Sequence, residues 1–405
     1  MPRRAKRLSK QWAVLIGLTA AVFGGFLVVG PAVKQWQESH DPAAQWRSDP
    51  TLYERSLEDF LQVFVAGWIF SVGACIGSFI NVVAYRVPRR ISLYREGSRC
   101  PHCLVPIRAS DNVPILGWLR LGGRCRACHL PISARYPLVE LAVALIFLSL
   151  AYVELLSAGA NLPGGKRHAY TGATWILWFT KWDMVGLYAY HCGLLSTLVT
   201  WSLIQLDRQR VPRAFAGFAI GLALLFPAIW PDLHPVAWRE APQKAISPAL
   251  QPAKAVPWAS GVSTGAIGAA AGGLVGLALS AIARRFRGEE GGEVDGANRI
   301  FGMMFIGASL GWQMLVGCAL LAALTYGAHA LLLRGLASRT EPPFLAYLTA
   351  SCWLLLCLWR LTATRLPFWP GPQTSYLVMA LDCFACFAMW AFFNALLARK
   401  RDANL

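Results

Sequence analysis

The stretch from Phe60 to Arg86 reads FLQVFVAGWIFSVGACIGSFINVVAYR and has no charged side chain before its last residue. About 20 apolar residues in a helix are enough to cross the hydrocarbon layer of a membrane. The stretch therefore predicts a transmembrane helix, and it decides the fold class because similar runs recur along the chain. One extends from about Trp12 to Val33, and others lie at roughly 137–156, 184–206, 212–231, 261–283, 300–315, 316–333, 344–361 and 376–397.

This pattern predicts an all-α polytopic membrane protein with about ten transmembrane helices. The apolar stretch 300–333 is too long for one ordinary span, which predicts a helical hairpin there. Continuous runs disfavour a β-barrel, whose strands alternate apolar and polar residues. The composition agrees, because only 15% of the residues are charged, whereas soluble domains contain about 25%. No internal repeat is predicted.

The formal net charge of +17 could indicate either nucleic-acid binding or membrane topology. The Lys and Arg side chains cluster in short loops between the apolar runs, and such positive loops stay in the cytoplasm. We therefore predict a lipid bilayer as the partner, no nucleic acid, and both termini inside. A basic head before an apolar run also begins signal peptides, but no cleavage site is convincing, so an uncleaved first span is favoured.

The loop between the second and third predicted spans contains two Cys-x-x-Cys pairs, Cys100 with Cys103 and Cys125 with Cys128. Two such pairs supply the four thiolates of a tetrahedral structural zinc site. Two disulfides are the alternative, but a reducing cytoplasm disfavours them. A redox pair needs only one of the two motifs. We predict that these four cysteines bind zinc, with His102 and His129 as flanking residues.

The chain from Gly77 to Leu141 resembles the N-terminal domain of bacterial prepilin peptidases. Several blocks carry the resemblance in the family's order, and a weaker likeness continues to about Arg360. The blocks are Gly77–Pro88 (GSFINVVAYRVP), Ser98–Cys103 (SRCPHC), Asp111–Pro114 (DNVP), Gly123–Cys128 (GRCRAC) and Pro131–Leu141 (PISARYPLVEL).

The resemblance implies an eight-helix intramembrane aspartic peptidase of the bacterial inner membrane, with its metal loop in the cytoplasm. Such enzymes remove the basic leader from type IV pilin-like precursors, and many then methylate the new N-terminus with S-adenosylmethionine. Two aspartates at the cytoplasmic membrane face carry out the peptidase step. Two neighbouring carboxylates cannot both ionise freely, so one holds a proton while the other activates water.

Both family aspartate positions are occupied by other residues in this chain. The first lies seven residues before Pro212 and is Gln205; the second, aligned through the block at 307–312, is Arg299, preceded by Asn298 in place of a family glycine. Neither an amide nor a guanidinium can act as a general base. A relocated pair, Asp207 and Asp295, is the fallback, although Asp207 would lie about 200° around a helix from Gln205.

Four regions are predicted from this resemblance. They are a basic N-terminus with an extra span and an external linker (1–58), a prepilin peptidase N-terminal domain (59–156) that includes the zinc module (87–136), a peptidase-like membrane domain (157–361), and an extra C-terminal span with a basic tail (362–405). The favoured function is a family member that has lost peptidase activity. The alternatives are an active enzyme with the relocated pair, a methyltransferase only, or a non-catalytic scaffold of a pilus or secretion assembly.

Overall fold

A computed structural model of the chain describes residues 52–95, 97–162, 172–230, 233–234, 257–287, 292–332, 343–361, 387–388 and 391. The predicted first span lies outside the described residues, as does nearly all of the predicted last span. Within the described part, the regular structure is helical, and pairing between extended segments is limited to two isolated β-bridges.

Nine α-helices follow one another along the described chain. They are α1 Leu52–Arg86, α2 Leu116–Arg120, α3 Arg135–Leu150, α4 Thr174–Trp178, α5 Trp182–Leu206, α6 Arg213–Ile229, α7 Pro257–Arg287, α8 Gly292–Leu332 and α9 Phe344–Cys357. A π-helical turn, Ala151–Leu156, continues α3, and a 3₁₀ turn, Ala109–Asp111, precedes α2.

Five of the described helical segments are long and apolar enough to cross a membrane. They are Leu57–Arg86, Arg135–Leu156, Trp182–Leu206, Gly261–Arg285 and Val294–His329, while α6 and α9 are shorter apolar helices. The predicted class, an α-helical polytopic membrane protein, is confirmed at this level. Helix α1 begins at Leu52 rather than near residue 60, because the charged segment before Phe60 continues the same helix.

The predicted hairpin at 300–333 corresponds to α8, which is interrupted at Gly311. Gly311 has φ 81° and ψ 166°, a conformation that is open to glycine and strained for other residues. Just before it, the Ser309 carbonyl accepts a hydrogen bond from Tyr190, near the middle of α5. Further on, His329 hydrogen-bonds to Tyr347 in the first turn of α9. At the other end of α8, Asp295 contacts Gln205, whose side chain also accepts a hydrogen bond from the Leu345 amide in the same turn of α9. Both ends of α8 therefore lie beside the start of α9, as the predicted hairpin requires.

Helices α1 and α3 pack in antiparallel register through small residues. A Cβ on Gly77 would lie 2.7 Å from the Glu140 Cα, and one on Gly73 would lie 2.8 Å from the Ala144 Cα. At the start of α3, the side chain of Asn81 donates to the Tyr136 carbonyl over 3.2 Å. Each four-residue step along α1 thus matches a four-residue step along α3, which fixes the depth of one helix against the other.

Candidate metal centre and buried polar site

The first cysteine pair lies in a short hairpin that we call the first knuckle, residues 98–107. Arg99 and Pro106 form an antiparallel bridge at its base. The Cys100 amide donates to the Val105 carbonyl over 3.0 Å, and the Leu104 amide donates to the Cys100 carbonyl over 2.9 Å. Leu104 has φ 59°, so the chain turns tightly just after Cys103 and places both sulfurs on one side.

The second cysteine pair lies in an equivalent hairpin, the second knuckle, residues 123–132. Arg124 and Pro131 form its bridge, the Cys125 amide donates to the Leu130 carbonyl over 2.9 Å, and His129 has φ 56°. The two knuckles share the pattern Arg-Cys-x-x-Cys-x-(Val/Leu)-Pro-Ile. The prediction of no internal repeat is therefore wrong, because this nine-residue pattern occurs twice in the sequence and forms the same hairpin each time.

The two knuckles bring the four predicted cysteines together. All four sulfurs lie within 4.8 Å of one another, with Cys100 and Cys128 3.8 Å apart and Cys103 and Cys125 3.9 Å apart. Sulfurs at tetrahedral positions about 2.3 Å from a zinc ion lie about 3.8 Å apart, so the cluster fits such an ion. Hydrogen bonds from the backbone of Cys128 and Ala127 lower the pKa of the Cys125 thiol to about 6, which favours the thiolate form.

A buried carboxylate connects the second knuckle to the segment before α2. Asp111 accepts two hydrogen bonds from Arg126, both 2.6 Å long, and one of 2.7 Å from Arg120. The bonds from Arg126 hold the pKa of Asp111 well below its usual range. Trp118 also donates to the Ile132 carbonyl over 3.0 Å. Sequence spacing does not predict these contacts, because they join residues from different turns of the module.

Glu140 attaches the module to α3. Its carboxylate accepts a hydrogen bond of 2.6 Å from the Ile115 amide. Ile115 has φ 61°, which is unfavourable for a β-branched residue. The hydrogen bond that Glu140 accepts from the Ile115 amide therefore helps to hold an otherwise strained turn. Glu140 lies five residues into α3 and does not cap that helix.

Gln205, which the sequence pattern places at the first family aspartate position, is buried at the end of α5. The Gln205 amide donates to a carboxylate oxygen of Asp295 over 2.9 Å, and its carbonyl oxygen accepts from the Leu345 amide over 3.1 Å. Gln205 thus links α5 to α8 and α9. Asp295 lies inside α8, which corrects the sequence-based expectation of a loop at this position.

Arg299, which the sequence pattern places at the second family aspartate position, lies one helical turn after Asp295. Arg299 is buried there, beside the fully buried Asn298. The Asn298 side chain accepts from the Val211 amide over 2.9 Å and donates to the Gln209 carbonyl over 3.0 Å. Asn298 therefore fixes the connection between α5 and α6 against α8.

Asp207 follows directly after α5 and pairs with Arg135 at the start of α3. Both Arg135 end nitrogens contact the carboxylate, one of them over 3.2 Å, and the same nitrogen donates to the Leu203 carbonyl over 3.3 Å. The two fallback residues therefore contact different partners: Asp207 contacts Arg135, and Asp295 contacts Gln205. Arg135 was not singled out from the sequence, although it belongs to the quoted block at 131–141.

A family model, the bacterial peptidase A24 N-terminal domain, matches residues 71–154. A prepilin leader peptidase/N-methyltransferase of Aeromonas hydrophila is 32% identical over 326 residues, covering 73% of this chain and 91% of that protein. The chain belongs to the prepilin leader peptidase/N-methyltransferase family. The resemblance read from the sequence blocks is thereby confirmed.

Two further relatives match this prepilin peptidase family member over different lengths. A protein of the same name from Pectobacterium carotovorum is 27% identical over 316 residues, 72% of this chain and 92% of its own. One from Myxococcus xanthus is 35% identical over 174 residues, which cover only 42% of this chain and 44% of that protein. No solved structure shows significant similarity to the chain.

Proposed function

We propose that this family member retains the fold and metal module of prepilin peptidases but has lost the peptidase reaction. The observation that carries the proposal is Gln205, whose amide bridges Asp295 and the Leu345 amide. Aspartic peptidase chemistry requires two carboxylates that share one proton and activate water. An amide at one position and a guanidinium at the other, Arg299, supply neither the base nor the shared proton.

The contacts of the fallback pair support the same proposal. Asp207 is held by both end nitrogens of Arg135, and such a bidentate pair favours the ionised carboxylate. Asp295 faces the amide of Gln205 rather than a second carboxylate. A dyad made from these two residues would have to break the ion pair first.

For the cysteine cluster we propose a structural zinc ion. Four thiolates fill a tetrahedral coordination shell and leave no position for water or substrate. Each knuckle is too small to bury a core of its own, so metal binding would supply much of its folding free energy. The ligands would be Cys100, Cys103, Cys125 and Cys128.

We further propose that eight helices cross the bacterial inner membrane, with α8 counted twice because it is interrupted at Gly311. Arg135, Asp207 and the metal module then share the cytoplasmic face, as the excess of arginine in these loops supports. The partners would be pilin-like precursors, in agreement with the names of the relatives. Such a protein would bind precursors or take part in their assembly without cutting them.

Leader cleavage tests the loss of peptidase activity. The chain is produced in membranes with a pilin-like precursor, beside a Gln205→Asp, Arg299→Asp double variant and a family enzyme with both aspartates as the positive control. We expect no shortened product from the native chain. Cleavage by the native chain would contradict the proposal, and Asp207→Asn and Asp295→Asn variants would then identify a relocated dyad.

The double variant tests whether the site geometry survives. Cleavage by the double variant alone would show that only the dyad has been lost. If neither chain cleaves, co-purification of the uncut precursor with the native chain distinguishes a binding protein from one that does not meet precursors at all. Failure to bind would contradict the proposed partner.

A further inference from the structure

Helix α2 lies beside the membrane helices rather than beyond their ends. Leu119 of α2 and Ile115, the residue before α2, form a small core with Ala74 of α1 and Ala144 of α3, and Phe70, Trp118 and Leu141 pack around it. In the register of α1 and α3, Ala144 lies eight residues after Tyr136, which is in the first turn of α3. Eight helical residues correspond to about 12 Å along the axis.

The start of α3 marks the polar face of the bundle. Arg135 pairs there with Asp207 at the end of α5, and charged groups of this kind lie at the headgroup level of a bilayer. The hydrocarbon layer is about 30 Å thick, so one leaflet contributes about 15 Å. A helix that is held between Glu140, about 6 Å below this face, and Ala144, about 12 Å below it, lies within the acyl region of that leaflet.

Several backbone amides in and just before α2 have hydrogen-bond partners within the protein, as a position at membrane depth requires. Irregular backbone is tolerated at membrane depth only where protein groups satisfy it. The Ile115 amide donates to Glu140 over 2.6 Å. The Gly117 amide donates to the Val113 carbonyl over 2.7 Å, and the Leu119 amide donates to the Ile115 carbonyl over 3.2 Å. The buried Glu140 carboxylate of α3 thus accepts a hydrogen bond from the amide of Ile115, the residue directly before α2.

The opposite side of this segment is apolar and exposed. Val113 is 44% exposed and Leu116 is 55% exposed. Arg120 follows at the end of α2, with its side chain 52% exposed although it contacts Asp111. Arginine in this position can extend its guanidinium to lipid phosphate while its methylene groups remain in the apolar layer.

We propose that residues 113–121 form a re-entrant anchor that inserts the metal module into the leaflet, with phospholipid acyl chains covering Val113 and Leu116. This inference goes beyond the proposed function and requires only that the chain spans a bilayer. It revises the sequence-based expectation that all of 87–136 lies in the aqueous phase.

Photocross-linking from single positions of the full chain in native membranes tests the anchor. Benzoylphenylalanine replaces Leu116, Val113 or Tyr94, and mass spectrometry identifies each adduct. Tyr94 is 96% exposed, and its neighbours Ser92 and Gly97 accept hydrogen bonds from Arg86 at the end of α1, so it is the matched aqueous control. The metal content of each purified variant checks that the module has folded.

We expect adducts of phospholipid mass at positions 113 and 116 and only background at 94. After extraction, detergent adducts should replace the lipid adducts at the same two positions. The proposal is overturned if folded variants at 113 and 116 form no more lipid adducts than position 94. It is also overturned if they cross-link to protein, since a protein partner would then cover this surface.

Discussion

At the scale of single residues, Gly117 decides whether α2 can close onto the preceding turn. A Cβ at this position would lie 2.1 Å from the Asp111 carbonyl oxygen. Overpacking of this kind typically costs about 1–3 kcal/mol. We expect Gly117→Ala to displace Asp111 from Arg126 and to loosen the second knuckle. Metal retained per purified chain and the rate of tryptic cleavage within residues 97–133 measure the effect.

Gly97→Ala is the matched control, because a Cβ at Gly97 meets no atom within 4 Å. Both glycines lie in the same module, and both substitutions add the same methyl group. Equal metal retention by the two variants would contradict the role given to Gly117.

Some features of single residues can be predicted from the sequence, and others cannot. The clustering of the four cysteines follows from their spacing alone, since two paired turns are enough to bring the sulfurs together. The proposed replacement of both family aspartates rests on counting residues to Pro212 and to the block at 307–312. The partners of Asp207 and Asp111 do not follow, because each ion pair depends on how separate segments pack.

At the scale of helices, α7 and the first part of α8 pack with their backbones in contact. A Cβ on Gly272 would lie 2.2 Å from the Met303 carbonyl oxygen, and one on Gly268 would lie 1.9 Å from that of Gly307. Small residues spaced four apart allow this close approach in membrane helices. We expect Gly272→Ala to push α7 away from α8, at a cost of about 1–3 kcal/mol.

The neighbouring residue provides the comparison for this prediction. A Cβ on Gly273 would meet the Met304 side chain at 3.5 Å, an ordinary contact. The thermal unfolding midpoint of each variant in detergent is the measurement, and Gly272→Ala should lower it while Gly273→Ala leaves it nearly unchanged. A similar loss in both variants would contradict the role given to close packing at Gly272; helix propensity cannot cause such a loss, because alanine favours a helix more than glycine does.

The apolar runs predict most of the helices, because length and hydropathy alone determine whether a segment can cross a membrane. They do not predict where a run is interrupted, since Gly311 lies in an unbroken apolar stretch. They also fail for α2, where five helical residues are too few to give a periodic signal. Hydropathy does not predict the start of α1 either, because the residues before Phe60 are charged although they belong to the same helix. A helix can continue beyond the bilayer.

At the scale of the whole molecule, most of the buried apolar residues in the described part of the chain fall into two separate clusters. The large one joins the membrane helices, and the small one joins Ile115 and Leu119 to α1 and α3. In the first knuckle and its flanking residues, 97–108, Cys100 is the one buried apolar residue. The second knuckle, residues 123–132, has none. The knuckles therefore have almost no packed core of their own, and we expect them to need a bound metal, whereas α2 packs against the helices.

Removing the metal should consequently unfold the knuckles and leave α2 in place. We expect a strong chelator to increase hydrogen exchange in residues 97–108 and 123–132 of the full chain, with much less change in 113–121 and in α5. Cys103→Ser should reproduce this pattern without chelator, because three thiolates cannot complete the site. Cys75→Ser should not, since Cys75 is an exposed cysteine of α1 outside the cluster. Exchange that rises equally in 113–121 would show that the metal, rather than Glu140 and the small core, holds α2 against the membrane helices.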